Sequence, residues 1–228
     1  MCQDYIVTDI PSSTIALADM RGIVAGIDWS GGGASGHSRT ALWIWGVISG
    51  GAKHNFRLKT LYFKIYPEAN PISGGVVDHI CDMCERYNVQ LAIGDAGAGA
   101  LANSNVRERL GPQRMLQLQY KGSSSGNSTA SRPIFWNKID RFIADRTFLI
   151  DNFLLYVKRG GVVFPNVKQM QPAIKDMLAV YEEETQQGKK VWRHGITEPD
   201  DALHAMIFGF AAAKFLTADP VFSYNSER

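Results

Sequence analysis

Apolar residues along this chain fall into short runs that stop at acids and glycines. "GIVAGIDWS" (22–30) is rich in β-branched residues and ends in Asp28 and then glycines, the pattern of a buried strand entering a loop. "TALWIWGVI" (40–48) predicts a second strand. "FRLKTLYFKIY" (56–66) predicts a third, with alternation at Leu58, Leu61, Phe63 and Ile65 and glycines 50 and 51 turning the chain between the two. A helix is expected near 72–87. "VQLAIGDAGAG" (89–99) is again an apolar strand that ends in an acid, Asp95, and then glycines. A short helix near 100–110 and a strand "RMLQLQY" (114–120) follow.

The second half is more helical. "KGSSSGNSTASRP" (121–133) reads as a mobile loop. "NKIDRFIADRTFLIDNFLLYVKRG" (137–160) predicts one long helix or two abutting ones, with Ile139, Phe142, Ile143, Leu149, Phe153 and Val157 as its apolar stripe and Gly160-Gly161 as its stop. "VVFP" predicts a short strand, residues 171–185 a charged helix, and "KKVWRHG" an edge strand. "DDALHAMIFGFAAAKFL" predicts the closing helix. Strands come first and then alternate with helices, so the expected class is an α/β fold with a mixed central sheet flanked by helices. Residues 1–21 are expected to be a linker or N-terminal arm, 22–216 the folded domain, and 217–228 a C-terminal tail.

Composition narrows the function only a little. An apolar content of 45% and a charged content of 20% in 228 residues are enough for a full core. A net charge of +2 is too small to mark a polyanion partner, so a nucleic-acid interface would have to rest on local patches. No apolar run reaches the ~20 residues that span a bilayer. No signal-peptide pattern opens the sequence, and three cysteines cannot all pair, so a reducing cytoplasmic setting is expected. Cys81 and Cys84 form a lone C-x-x-C with no second pair for zinc. They share a helix face with Val77 and Ile80 and are expected in the core, as are Trp29, Trp43 and Trp45.

The candidate chemistry lies at the ends of the runs. Asp28 and Asp95 close two strands, and the doublet Asp200-Asp201 opens the last helix. A single Asp at such a position commonly starts a turn or caps a helix. Three converging on the carboxyl ends of strands, where α/β sheets hold their sites, would repel one another unless hard cations neutralised them. Mg²⁺ and Mn²⁺ take such oxygen ligands, and two such ions would support phosphodiester hydrolysis. The helix register favours Asp201 as the third ligand, on the face of Ala205, with Asp200 as a cap or auxiliary acid.

These segments carry a resemblance. "GIDWSGGG", "AIGDAGAG", "DRTFLIDNFLLYVKRGGVVFP" and "EPDDALHAMIFGFA", in this order, resemble the nuclease domain of the large terminase subunit of tailed bacteriophages, an RNase H-like fold, over about residues 22–216. The resemblance implies a metal-dependent endonuclease that cuts concatemeric viral DNA during genome packaging. It implies Asp28, Asp95 and Asp201 as catalytic metal ligands, with Asp200 as a further ligand. Two Mg²⁺ or Mn²⁺ ions, double-stranded DNA, an ATPase domain of the same motor, the portal and the small terminase subunit are the implied cofactors and partners, in the host cytoplasm. The phosphate loop G-x-x-x-x-G-K-[ST] of the motor's ATPase is absent from the sequence. The chain is therefore expected to be an isolated nuclease domain or a stand-alone relative.

Two histidines, His194 and His204, flank or follow the doublet and are candidate auxiliaries. His37, His54 and His79 have no supporting context. Lys121, Arg132, Lys138, Arg141 and Arg146 are candidate DNA contacts, and Lys189, Lys190 and Arg193 stand just before the doublet. Three other readings share features with this one. "GIDWSGGG" also resembles the first phosphate loop of actin-like kinases, although the length does not fit their duplicated domain. A Holliday-junction resolvase shares the Asp-Ala-Leu helix start. A DNA-binding or motor-docking module without catalysis could also keep the fold.

Overall fold

The structure, a computed structural model, describes residues 5–6, 20–31, 38–50, 55–66, 75–121, 134–136, 141–186, 188–195, 197–218 and 223–225. Its strands are β1 (Tyr5–Ile6), β2 (Met20–Asp28), β3 (Thr40–Ser49), β4 (Phe56–Tyr66), β5 (Leu91–Asp95), β6 (Met115–Tyr120), β7 (Ile134–Trp136), β8 (Arg141–Ala144), β9 (Val162–Val163), β10 (Val180–Glu184), β11 (Lys190–His194) and β12 (Ser223–Asn225). The helices are α1 (Val76–Arg86), α2 (Ala100–Leu110), α3 (Arg146–Lys158), α4 (Val167–Leu178) and α5 (Asp201–Leu216).

The main sheet runs β1-β4-β3-β2-β5-β6-β8-β7-β12, with β9 paired to β4. Strands β2, β3 and β4 form an antiparallel meander, and β5, β6 and β8 extend it in parallel from β2. This is the mixed α/β sheet expected from the sequence, and its fold is RNase H-like. Short pieces of the expected arm and tail add strands: β1 pairs with β4, and β12 pairs with β7. Among the described residues no helix is long and apolar enough to cross a membrane.

Strand alternation sorts the central strands onto two cores. Ile23, Ala25 and Ile27 of β2 and Ala92 of β5 join the core under α1 and α2. Val24 of β2 and Leu91 and Ile93 of β5 join the core under α3, α4 and α5. The period of two then places Asp28 and Asp95 on the α5 face, both at carboxyl ends of parallel neighbours. Tyr120 ends β6 with the same parity as Leu116 and Leu118, and packs on that core too.

Helix α5 is seated on β2 with almost nothing between them. A Cβ on Gly26 would land on the main-chain oxygen of Ala205 and the nitrogen of Gly209, and one on Gly209 would strike the Trp45 ring. Two glycines therefore let a helix backbone touch a strand backbone. The other end of α5 lies over the start of β2, where a Cβ on Gly22 would meet Leu216. The helix thus runs antiparallel to β2 and sets its N-terminus beside Asp28. From Asp201 to Ala213 every residue of α5 is buried, which explains its apolar composition on all sides.

Two predicted helices are corrected. Residues 141–144 are the strand β8, not the first half of a long helix, and pair with β6 and β7. Asp145 is the reason: its side chain accepts the Phe148 N–H at 2.9 Å and starts α3 there. Residues 171–185 divide between α4, which begins at Val167 behind the cap Asn166, and β10. The acids of β10 are used across a two-stranded sheet with β11, where Glu182 meets Lys190 at 2.8 Å and Glu183 meets Arg193 at 2.9 Å.

The expected core residues are where the sequence placed them. Trp29, Trp43 and Trp45 are buried, and so are the free thiols of Cys81 and Cys84. Burial pushes the Cys81 thiol up to about 11 and that of Cys84 up to about 12, as inert core cysteines require. The loop 122–133 lies outside the described residues, as do His37, His54, Arg132 and Lys138.

Candidate active site

The four candidate acids gather at the carboxyl edge of β2 and β5. Asp28 has its carboxyl raised well above the ordinary range, first by burial and then by the negative charges of Asp201, Asp95 and Asp200, with Arg146 opposing. Residues separated by more than a hundred positions in sequence therefore share one electrostatic site. Asp95 is raised by burial, although the Gly97 N–H, 2.9 Å from Oδ2, and the His204 charge hold it back.

A buried clamp joins the two strand ends. The Trp29 indole N–H donates to Asn103 Oδ1 at 2.6 Å, and Asn103 Nδ2 donates to the main-chain oxygen of Asp95 at 2.6 Å. Asn103 comes from α2 and is fully buried. The residue after Asp28 is thus tied, through one amide side chain, to the backbone of Asp95.

The doublet separates into two environments. Asp200 occupies the N-cap position of α5, yet its side chain makes no capping bond, which corrects the capping expected of it. It accepts from Arg146 Nη2 at 2.7 Å and lies 3.0 Å from His204 Nε2. Tyr120 OH lies 2.8 Å from His204 Nδ1. Arg146 Nη2 also lies 3.0 Å from His204 Nε2, so Arg146, Asp200 and His204 make one mutual cluster. Burial alone would raise Asp200. The His204 hydrogen bond and the charges of His204, His194 and Arg146 outweigh it and hold the carboxyl down to about 2.

Asp201 faces Arg39 instead. The Arg39 main-chain N–H and Nε donate to its Oδ2 at 3.2 and 3.3 Å, and Ser38 Oγ lies 3.4 Å from Oδ1. Burial nevertheless raises Asp201, against the opposing effect of Arg39. The α5 N-terminus is capped from another helix: buried Asp176 of α4 accepts the Ala202 N–H at 2.8 Å. The same carboxylate takes Arg39 Nη2 on both oxygens at 2.7 Å.

Sequence reasoning did not single out Arg39, Asn103, Tyr120 or Asp176. One signal existed for Asp176: it follows Met170 and Ala173 at three-residue spacing on the buried face of α4, and an acid in an apolar stripe needs a partner.

Arg146, a candidate DNA contact, lies inside the acid cluster, where it also donates to the Trp192 main-chain oxygen at 2.6 Å. Arg141 Nη1 donates to Gln119 Oε1 at 3.0 Å, and Lys121 follows Tyr120 at the end of β6. Lys190 pairs with Asp151 and Glu182, and Arg193 with Glu183. His194 turns Nδ1 to the main-chain oxygens of Gly195 and Glu198.

Among the described residues no three His, Cys, Asp or Glu side chains are grouped tightly enough to hold one ion. The donor set still fits a hard divalent cation in its chemistry. The candidate ligands are carboxylates, and in Asp28 burial first and then the charges of Asp201, Asp95 and Asp200 raise the carboxyl, a strain that a cation would relieve.

No family model matches the chain, and no curated protein matches it. Solved structures do. The large terminase nuclease of thermophilic phage G20c superimposes with a TM-score of 0.55 at 15% identity, over 85% of this chain and 84% of that one. A magnesium-bound form of the same nuclease gives a TM-score of 0.55 at 16% identity, with the same coverage. The nuclease domain of the large terminase subunit of bacterial virus Sf6 gives 0.55 at 12% identity, over 82% of this chain and 87% of that one. The chain shares the fold of large terminase nuclease domains.

Proposed function

We propose that this chain is a divalent-metal-dependent endodeoxyribonuclease of the large terminase type, acting on double-stranded DNA during viral genome packaging in the host cytoplasm. The observation that carries the reading is the gathering of Asp28, Asp95, Asp200 and Asp201 from three distant segments at one sheet edge. The fold shared with terminase nucleases supports it, and one such neighbour is a magnesium complex.

Charge counting favours a cation. Asp28, Asp95, Asp176, Asp200 and Asp201 bring five negative charges when ionised, and the two arginines bonded to the group, Arg39 and Arg146, return two. Three remain, in a half-buried site where Coulomb repulsion is poorly screened. Asp28, Asp95 and Asp201 would hold two Mg²⁺ or Mn²⁺ ions, with Asp200 beside them. Such ions, when bound, would supply Lewis acidity, lowering the pKa of a water so that hydroxide is available as nucleophile and offsetting charge on the leaving oxygen.

The chain's own residues supply the rest. The Trp29–Asn103 clamp fixes the separation of the Asp28 and Asp95 strand ends. His204, held by Tyr120, keeps Asp200 ionised and oriented. Lys121 and Arg141, with Arg132 and Lys138, supply phosphate contacts that need no base reading, so cleavage has little sequence specificity. In a packaging motor the ATPase domain, the portal and the small subunit would be the partners.

The test is nicking of supercoiled plasmid in Mg²⁺ or Mn²⁺. Wild type should nick and linearise, EDTA should stop it, and Asp28→Asn and Asp95→Asn should each abolish it with the fold intact. Undiminished cleavage by either folded variant overturns the assignment.

A further inference from the structure

Arg39 stands between two acids and bonds them unequally. Its Nη2 lies 2.7 Å from both oxygens of Asp176, whereas Nε lies 3.3 Å from Asp201 Oδ2. Asp176 itself is 1% exposed and belongs to α4, while Asp201 opens α5. Among the described residues, Asp201 Oδ1 has only the long 3.4 Å contact with Ser38 Oγ.

A guanidinium prefers a bidentate fork on one carboxylate. With no competing acid, Arg39 would close that fork on Asp201 and neutralise it. We propose that Asp176 is a positioning residue for the cation site: it draws the Arg39 guanidinium off Asp201 and keeps Asp201 Oδ1 available to a divalent ion. The proposal rests on the functional reading above. It assigns to α4 a part in cation binding, although α4 carries none of the candidate ligands.

The geometry separates this role from plain support of the fold. Asp176 also caps α5 through the Ala202 N–H, and an amide oxygen can accept that bond equally well. Asp176→Asn therefore keeps the cap and removes the charge that holds Arg39. Arg39→Gln removes the guanidinium that would otherwise close on Asp201.

The experiment is Mn²⁺ titration by calorimetry of the folded chain without DNA, with plasmid nicking measured on the same preparations. Asp176→Asn should weaken Mn²⁺ binding by about tenfold or more, the range seen when groups orienting metal ligands are removed. Adding Arg39→Gln to Asp176→Asn should restore binding. Arg39→Gln alone should bind at least as tightly as wild type, and it serves as the test if Asp176→Asn does not fold. Asp176→Asn that binds like wild type, a double variant no better than Asp176→Asn, or weakened binding by Arg39→Gln alone each overturns the proposal. Wild type that binds Mn²⁺ but leaves DNA intact overturns the nuclease reading and not this one. Wild type that binds no Mn²⁺ overturns both.

Discussion

Trp29 and Asn103, 74 positions apart in sequence, share a buried 2.6 Å hydrogen bond that ties the end of β2 to α2. Asn103 passes the restraint on to the Asp95 backbone. Asn103→Ala would strand the indole N–H and the Asp95 carbonyl, each unmet buried group costing about 1–3 kcal/mol. The expected outcome is a loss of about 3 kcal/mol in urea unfolding, with cleavage falling further than the remaining folded fraction explains. Wild-type stability in that variant would show the clamp to be idle.

Asp28 opposes folding in the metal-free protein, because its native carboxyl titrates well above the unfolded value near 3.8. At neutral pH Asp28→Asn should raise the metal-free melting temperature while abolishing nicking. The sign follows from linkage. The gain is full above the native pKa, shrinks as pH falls towards 3.8, and is absent below it. Melting curves across that range in EDTA check it, and a gain that persists at pH 3 contradicts the electrostatic cause.

Asp200 and Asp201 should behave in opposite ways. Asp200 is held down to about 2, so it contributes stability above pH 4 that is lost as pH falls through about 2. Asp200→Ala should cost about 2 kcal/mol at neutral pH, from the displacement of its pKa, and part of the activity. Asp201→Ala should leave the metal-free melting temperature level or higher, since burial raises that carboxyl, and should end nicking. Chemical denaturation and Mn²⁺-dependent nicking of both variants decide the assignment. A dead Asp200→Ala beside an active Asp201→Ala would exchange the roles of the two acids.

Gly26→Ala tests the seat of α5. The added methyl meets the backbone of Ala205 and Gly209, which has no rotamer to yield. Overpacking of this kind costs about 1–3 kcal/mol and moves Asp201 relative to Asp28. Lower stability together with lost nicking is expected. A variant with wild-type melting and cleavage would mean that the helix can lift at no cost.

Much of this site was legible because the local pattern and the tertiary role agree. Asp28 and Asp95 each end an apolar strand, so strand parity alone puts them on one face. Asp201 begins a helix apolar all round, which has to lie on a sheet. The long helix expected over 137–160 failed for a physical reason: Phe142 and Ile143 fit a helical stripe with Leu149 and Phe153, and only the cap at Asp145 separates strand from helix. Arg39 and Asp176 were silent because their meaning lies in each other, 137 positions apart. No window of sequence contains both. The Asp200 side chain took ionic partners because Asp176 had already supplied the cap.

The direct contact of α5 with β2 also sets a hierarchy of motion. Amide protons along the middle of α5, between Ala205 and Ala212, lie in a helix without a solvent face, so their exchange with deuterium should await global unfolding. The hairpin β10–β11, largely exposed along its length, should exchange through small local openings instead. Asp201 then stands at the start of a slowly exchanging helix. Arg146, bonded to Asp200 and to the Trp192 carbonyl, links that helix start to the exposed hairpin.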